Sequence, residues 1–177
     1  MSPIPLQPNF HSGRIEYIPI SDQDCDELLA LLHHPIFNKY LCDNRDLERA
    51  FVEAMIRDRN ALFAGKGIGL WLLKHRYEQS VPGFCGFYKN EVLEIVYVSH
   101  PDFQGKGLAT ECALRVIGYL QQGNQPEPFF AKIDLPNIAS HKIARKIGMQ
   151  EVCMEINSVT GGKMLVYQFN AKRSVDG

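Results

Sequence analysis

The residues whose types and spacing best suggest a ligand site lie in VSHPDFQGKGLATECALRVIGYL, residues 98–120. An apolar segment leads into two glycines around a lysine, and an amphipathic helical pattern follows. The first N–H groups of a helix have no partner inside it, and the helix macrodipole adds partial positive charge there. Gly105 and Gly107 leave room for an anion beside those N–H groups. The pattern therefore predicts a site for a diphosphate.

We expect this anion to be bound by backbone N–H groups of the loop and first helical turn. Lys106 adds a positive charge, whereas Glu111 lies further into the helix and competes less with a ligand. The predicted contacts are Gln104, Gly105, Lys106, Gly107, Leu108, Ala109 and Thr110. A tight strand-to-helix connection that binds nothing is the alternative explanation.

Two familiar phosphate motifs do not fit this loop. A P-loop needs G-x-x-x-x-G-K-[ST], and no segment supplies it. The dinucleotide fingerprint belongs to a parallel β-α-β unit whose second strand ends in an acidic residue. Here Glu127 begins the following strand candidate instead of ending it. A phosphate site of another kind is therefore expected.

The composition is typical of one globular domain and excludes several classes of function. The chain has 177 residues, 45% of them hydrophobic and 22% charged. A net charge of −1 argues against a general nucleic-acid binder. The start of the chain, MSPIPLQPNFHSG, has no continuous apolar segment, so we expect neither a signal peptide nor a membrane anchor there. We expect a cytoplasmic protein without membrane or nucleic-acid partners.

The cysteines do not predict a metal site. They are odd in number and widely spaced, without a C-x-x-C pair: Cys25, Cys42, Cys85, Cys112 and Cys153. We expect reduced thiols in the core and no bound metal.

Hydrophobic periodicity predicts the elements that position the loop. A strand from Arg14 precedes a helix that starts near Ser21 and is closed by Pro35. The later elements are a helix at 45–59, a flexible turn at 64–69, an antiparallel meander of strands at 70–76, 83–89 and 92–98, a helix from 108, a strand at 129–134, a helix from 137 capped by Asn137 and Gly148, and a hairpin of strands at 149–156 and 163–169.

This order predicts an α/β (α+β) fold with one mixed, mostly antiparallel sheet of six to seven strands and about four helices. The domain is expected over residues 14–170. Residues 1–13 are expected to be a flexible leader, and residues 171–177 a tail.

The segments HPDFQGKGLATECALRVIGYL and DLPNIASHKIARKIGM together resemble the GNAT superfamily of N-acetyltransferases. In that family a Q/R-x-x-G-x-G/A loop binds the pyrophosphate of acetyl-CoA, and Gln104, Gly107 and Ala109 match it. The residues of QGKGLATEC and NIASHKIARKIG most resemble the branch of ribosomal-protein N-terminal acetyltransferases (RimJ/RimL-like). The element order from Arg14 to Asn170 and the segment HPIFNKYL are also similar to that branch.

The resemblance implies that the strands before and after the central helix splay apart and hold the pantetheine arm between them. The contacts it implies are the main chain of Tyr97, Val98 and Ser99, with the thioester near residues 95–97. Asn137 and Ser140 are also implied to contact the coenzyme, although capping of its own helix would explain Asn137 as well.

The resemblance implies acetyl transfer to a primary amine by direct attack on the thioester. Glu94 is the expected base, directly or through water, or else a solvent-facing strand carboxylate. His100 is a second possible base, and Glu91 a weaker one. Ala144 stands where many members have a tyrosine that protonates the leaving thiolate, so Ser140 is the expected acid, with Asn137, water or no acid as alternatives.

The acceptor is expected to be a small-molecule amine, a protein N-terminus or a lysine, bound by a monomer or homodimer. The candidates for the wall of the acceptor-binding end of the cleft are His33, His34, Phe37, Tyr40, Trp71 and Phe87. Aromatic residues at these spacings also form cores. One alternative is a degenerate module that binds acyl-CoA without turnover. Another is a nucleotide-phosphate binder that prefers ATP.

Overall fold

A computed structural model of the protein describes residues 9–122 and 127–170. One sheet of eight strands runs through this part of the chain, in the order β1-β2-β3-β4-β5-β6-β8-β7. The strands are β1 Phe10–His11, β2 Ile15–Pro19, β3 Leu70–His75, β4 Gly83–Lys89, β5 Leu93–Ser99, β6 Phe129–Asp134, β7 Gln150–Ile156 and β8 Lys163–Phe169. The predicted fold class is confirmed, and the sheet has more strands than expected.

Five α-helices lie in the described residues, where about four were expected. They are α1 Cys25–His33, α2 Pro35–Leu41, α3 Arg49–Lys66, α4 Leu108–Gln122 and α5 Ile138–Lys146. The additional helix is α2. Pro35 ends α1 as predicted but also starts α2, because proline fits the first position of a helix, where no N–H partner is needed.

Helix α3 starts later than predicted, at Arg49, and it also ends later. It was expected at 45–59, with a flexible turn at 64–69, but it continues through Lys66. It ends at Gly67, whose φ of 70° is the left-handed conformation that caps helices. The N–H of Gly67 donates to the Phe63 carbonyl at 2.9 Å. The helix therefore stops at the second glycine of this segment and not at the first.

The sheet begins inside the segment expected to be a flexible leader. Phe10 pairs with Tyr17 of β2, and their ring centroids are 4.4 Å apart. The Tyr119 ring of α4 stacks on Phe10 at 4.9 Å. This aromatic packing holds β1 against the core. The other predicted leader and tail residues, 1–8 and 171–177, lie outside the described residues.

Two apolar clusters cover opposite faces of the sheet. Helix α4 packs on one face with the period predicted from the sequence, burying Leu108, Cys112, Ala113, Val116, Ile117 and Leu120. On the other face α1 and α3 bury Leu28, Leu32, Val52 and Ile56 against β3 and β5. Four of the five cysteines are buried as expected, whereas Cys153 on β7 is exposed.

The central pairing of the sheet is almost interrupted between β5 and β6. The meander β3-β4-β5 is antiparallel, as predicted. Strands β5 and β6 run parallel, and their register consists of one pair, Glu94 with Phe130. Strand β6 pairs with β8 along its whole length. The predicted splay is therefore present, and it opens toward the carboxyl ends of β5 and β6.

The close passage of β3 and β4 should make Gly86 intolerant of any side chain. An added Cβ would lie 2.1 Å from the Gly69 carbonyl oxygen, and φ is 149°. We expect Gly86→Ala to lower the free energy of unfolding by at least about 2 kcal/mol. Urea denaturation measures this. The matched variant is Gly118→Ala in α4, where nothing lies within 4 Å of an added Cβ. It should instead raise the free energy of unfolding by about 0.5 to 1 kcal/mol. Equal changes in the two variants would contradict the expected clash at Gly86.

Candidate active site

The loop between β5 and α4 needs its glycines for its backbone. Gly105 and Gly107 have φ of 74° and 73°, the left-handed region that other residues rarely adopt. No atom lies within 4 Å of the position that a Cβ would occupy at either glycine. The turn therefore requires glycine, and it also leaves open space beside the backbone.

The N-terminus of α4 presents free N–H groups to that space. The N–H of Glu111 donates to the Gly107 carbonyl at 3.0 Å, so the N–H groups of Leu108, Ala109 and Thr110 precede the first helical hydrogen bond. The Gln104 Nε2 donates to the Ser99 carbonyl at 3.3 Å and ties the loop to the end of β5. The arrangement suits an anion.

Arg14 braces this loop, which sequence analysis did not predict. Its guanidinium donates to the Glu111 carboxylate at 3.0 Å and to the Lys106 carbonyl at 3.1 Å. Ser12 also donates to Glu111, at 3.1 Å. The one acidic residue in the first turn of α4 is thus paired with a cation, so it opposes an anionic ligand less than an unpaired carboxylate would.

The hydroxyl of Ser99 supports a ligand at this place. Ser99 is 93% buried, since its exposed fraction is 7%. Its Oγ has no hydrogen-bond partner among the described residues, and it lines the same cleft as the loop. A buried hydroxyl without a partner is costly, so a hydrogen bond to a ligand or water is expected.

One cleft of about 660 Å³ contains nearly all the predicted coenzyme contacts. It lies between β5, the start of α4, α5 and α2. The predicted residues that line it are Tyr97, Val98, Ser99, Gln104, Gly105, Gly107, Leu108, Ala109, Thr110, Asn137 and Ser140. No carboxylate belongs to the described lining. The structure thus gathers residues far apart in sequence around a space without negative side chains.

Lys106 does not line this cleft. Its Nζ lies 5.6 Å from the centroid of the Phe103 ring. The residue lines a second cavity of about 520 Å³ together with Glu78 and Asp102. The expected positive charge at the anion site therefore does not come from the Lys106 side chain in this conformation, because the loop directs that side chain to its other surface.

Glu94 also lies outside the lining of the cleft. Tyr88, its partner on β4, donates its hydroxyl to the Glu94 carboxylate at 2.9 Å. Glu94 is buried, with 6% exposed, and it alternates along β5 with Leu93 and Ile95, which pack with α4. It therefore faces the opposite side of the sheet. The predicted solvent-facing carboxylate is wrong, since this side chain is neither exposed nor free.

The Glu94 environment includes a half-buried cation. The guanidinium carbon of Arg59 in α3 lies 4.6 Å from the centroid of the Tyr88 ring. Burial lowers the pKa of Arg59. Burial and then the neighbouring Glu94 charge raise the pKa of Tyr88, so its hydroxyl stays protonated and donates to Glu94. The three side chains form one connected group.

Helix α5 is tied to β5 across the open end of the sheet. Asn137 caps the helix, as predicted, by accepting the Ser140 N–H at 3.3 Å. The Tyr97 hydroxyl donates to the Ser140 carbonyl at 3.1 Å, and burial raises the pKa of this phenol. Ala144 is fully buried and has no group that could donate a proton.

The other candidate side chains separate into cleft, surface and core. Phe37 and Tyr40 line the cleft from α2. Trp71 and Phe87 are fully buried in the core, which was the expected alternative to a place in the acceptor wall. The Asp102 N–H donates to the His100 Nδ1 at 3.3 Å, which caps the short turn at 101–103.

The remaining candidates lie outside the described cleft lining. His33 Nε2 lies 3.0 Å from the Leu47 carbonyl oxygen. The His34 ring centroid is 5.3 Å from that of Phe37, and its Nδ1 has no partner within the described chain. Glu91 is exposed in the turn before β5.

The described residues contain neither a cluster of metal ligands nor a membrane-spanning helix. No group of three His, Cys, Asp or Glu side chains in residues 9–122 and 127–170 is placed to hold a metal ion. In the same residues no helix combines the length and the apolar character needed to cross a bilayer.

Comparison with known proteins decides the family. Residues 14–150 match the model of the acetyltransferase (GNAT) domain. The chain belongs to the GNAT acetyltransferase family. The expectation of an acyltransferase is thereby confirmed, while the RimJ/RimL-like branch stays a prediction.

Relatives of this GNAT domain agree with the match. The uncharacterized protein YkkB of Bacillus subtilis is 28% identical over 144 residues, covering 78% of this chain and 83% of YkkB. An acetyltransferase from Agrobacterium tumefaciens has a similar fold, with a TM-score of 0.77 and 17% identity over 93% of this chain and 95% of that chain. RimL, a ribosomal L7/L12 α-N-protein acetyltransferase solved with coenzyme A, has a TM-score of 0.72 and 16% identity over 90% and 95%.

Residues outside the predicted set of coenzyme contacts also line the cleft of this GNAT domain. Ile36 and Leu41 line it from the unpredicted α2, and Lys142 and Lys146 line it from α5. The spacing of the two lysines places them on one face of a helix. That signal was present, but it does not show which face is turned to the cleft.

A negative charge at the start of α4 should weaken binding of coenzyme A. In Ala109→Glu the new carboxylate lies at the N-terminus of a helix, where it favours the helix itself. Repulsion between the new carboxylate and one unit of phosphate charge roughly 8 Å away costs about 2 kcal/mol at an effective dielectric constant of about 20. We therefore expect the affinity for coenzyme A, measured by calorimetry, to fall about thirtyfold. Leu114→Glu adds the same charge on the exposed side of α4 and should change little. Equal losses would place the anion elsewhere.

Proposed function

We propose that this GNAT domain transfers the acetyl group of acetyl-CoA to a primary amine, by direct attack of the amine on the thioester carbonyl. One observation carries the proposal. The unpaired edge of β5 and the N-terminus of α4 open into the same cleft. That arrangement fits a ligand with an anionic end and an extended amide arm.

The coenzyme would be held mainly by the backbone. Beyond Glu94, β5 has no pairing with β6, so its edge at Tyr97 and Val98 would pair with an extended chain of amides. At Ser99 the carbonyl already accepts from Gln104, so the unpartnered hydroxyl would serve the ligand there. The diphosphate would be bound by the N–H groups of residues 105–110. RimL, which has a similar fold, was solved with coenzyme A.

Acetyl-CoA supplies an activated acyl group; the protein must orient it and manage one proton. An α-amine has a pKa of about 8 and a lysine-type amine about 10.4, so either is mostly protonated at neutral pH. Glu94 is the proposed acceptor of that proton. Because its side chain is buried on the other face of β5 and held by Tyr88, we propose that the proton reaches it through water.

The leaving thiolate needs little assistance, since a thiol has a pKa of about 8.5. Ala144 contributes no donor. We propose Ser140 as the hydrogen-bond donor to the sulfur, because it lines the cleft at the start of α5 opposite Tyr97. Backbone N–H groups along β5 would stabilise the oxyanion.

The acceptor would enter along α2, whose Ile36, Phe37, Tyr40 and Leu41 line the cleft. A panel of peptides with free N-termini, lysine and small amines tests the reaction, with release of thiol and product mass as readouts. We expect one class of amine to gain an acetyl group. Tight coenzyme binding without turnover of any amine would support the binding module, and preference for ATP would support the nucleotide binder.

Replacing the proposed proton acceptor should affect turnover and spare binding. We expect Glu94→Gln to lower kcat at least tenfold at neutral pH while coenzyme affinity is kept. The loss should shrink as pH approaches the pKa of the amine, because less substrate then needs deprotonation. Initial rates between pH 6 and roughly 10 measure this. Glu91→Gln, in the exposed turn, is the control, and a pH profile for Glu94→Gln parallel to the unmodified protein would remove Glu94 from the mechanism.

A further inference from the structure

The charged side chains that line the cleft are all positive. Lys142 and Lys146 are the lysines, and the described lining contains no aspartate or glutamate. A cleft of this kind attracts anions, because its cations are not neutralised by neighbouring carboxylates. Both residues are exposed, so their amines are accessible to a ligand.

The other cations near the cleft are engaged elsewhere. The Lys106 side chain lies against Phe103 on the far side of the loop. Arg14 is paired with Glu111, and Arg145 with Glu151 at 2.6 Å. By contrast, neither Lys142 nor Lys146 forms an ion pair with any residue in 9–122 or 127–170.

The two lysines form a pair on one side of α5. Residues four apart in a helix lie on the same face, about one turn from each other. That face is the one turned to the cleft, since Ile143 and Asn137 also line it. Except for Lys106, the loop at 104–110 lines the same cleft, so the lysines share one ligand space with the N-terminus of α4.

Coenzyme A carries two anionic groups at this end. The diphosphate is matched by the N-terminus of α4, which supplies N–H groups but no cationic side chain. The 3′-phosphate, on the ribose attached to the diphosphate, is a second, separate anion, and a phosphate monoester is bound best by charge-assisted hydrogen bonds. We infer that Lys142 and Lys146 bind the 3′-phosphate and make this protein select coenzyme A over its 3′-dephospho form. This inference rests on the proposed use of the coenzyme.

Calorimetry with coenzyme A and 3′-dephospho-coenzyme A tests the assignment. The unmodified protein should bind coenzyme A roughly tenfold or more tightly than the dephospho form. The double variant Lys142→Ala, Lys146→Ala should lose that preference, because its affinity falls for coenzyme A and not for the dephospho form. Arg145→Ala removes one charge from the same helix on a side that does not line the cleft, and it should keep the preference.

Two results would overturn the inference. An equal loss of affinity for both compounds in the double variant would mean that the lysines do not recognise the 3′-phosphate. An unmodified protein that binds both compounds equally would mean the same, while acetylation of an amine by that protein would leave the proposed function standing. Failure of the unmodified protein to bind either compound would instead overturn the proposed function together with the inference.

Discussion

The parallel strands β5 and β6 meet at a single pair, Glu94 with Phe130, and diverge beyond it. On their other edges these strands are fully paired, β5 with β4 and β6 with β8. The sheet therefore stays stable, although the facing edges of β5 and β6 lack partners beyond that pair. Buried backbone groups need hydrogen bonds. A ligand that carries amides can supply them, which is why we propose that the coenzyme arm binds in this gap.

The same divergence decides where the helices begin. Strands that run parallel end at the same edge of the sheet, so α4 and α5, which follow β5 and β6, both start beside the gap. Helix α4 contributes free N–H groups, and α5 contributes its Asn137 cap, Ser140 and two lysines. The hydrogen bond from the Tyr97 hydroxyl to the Ser140 carbonyl connects β5 with α5. The proposed sites for the diphosphate and for the pantetheine arm thus depend on one topological feature.

Charge is distributed unequally between the two faces of β5. On the face of α4 and α5 the cleft has N–H groups and lysines, and Glu111 is paired with Arg14. On the other face the Glu94 carboxylate accepts a hydrogen bond from the Tyr88 hydroxyl, beside Arg59. This placement of the carboxylate would limit its repulsion of a coenzyme bound at the proposed site. It also separates the proposed proton acceptor from the phosphates by the thickness of a strand.

Local patterns in the sequence determined much of this protein: the helical period of α4, the cap at Asn137, the glycine turn at 105–107 and the antiparallel meander were all predictable, because propensity and turn chemistry act over a few residues. Tertiary structure alone decided which way side chains on those elements point. It turned Lys106 away from the predicted anion site, buried Glu94 beside Tyr88, placed Trp71 and Phe87 in the core, and brought Lys142 and Lys146 to the cleft. The reason is physical: the free energy of packing and of charge pairing depends on neighbours distant in the chain, which no local pattern specifies.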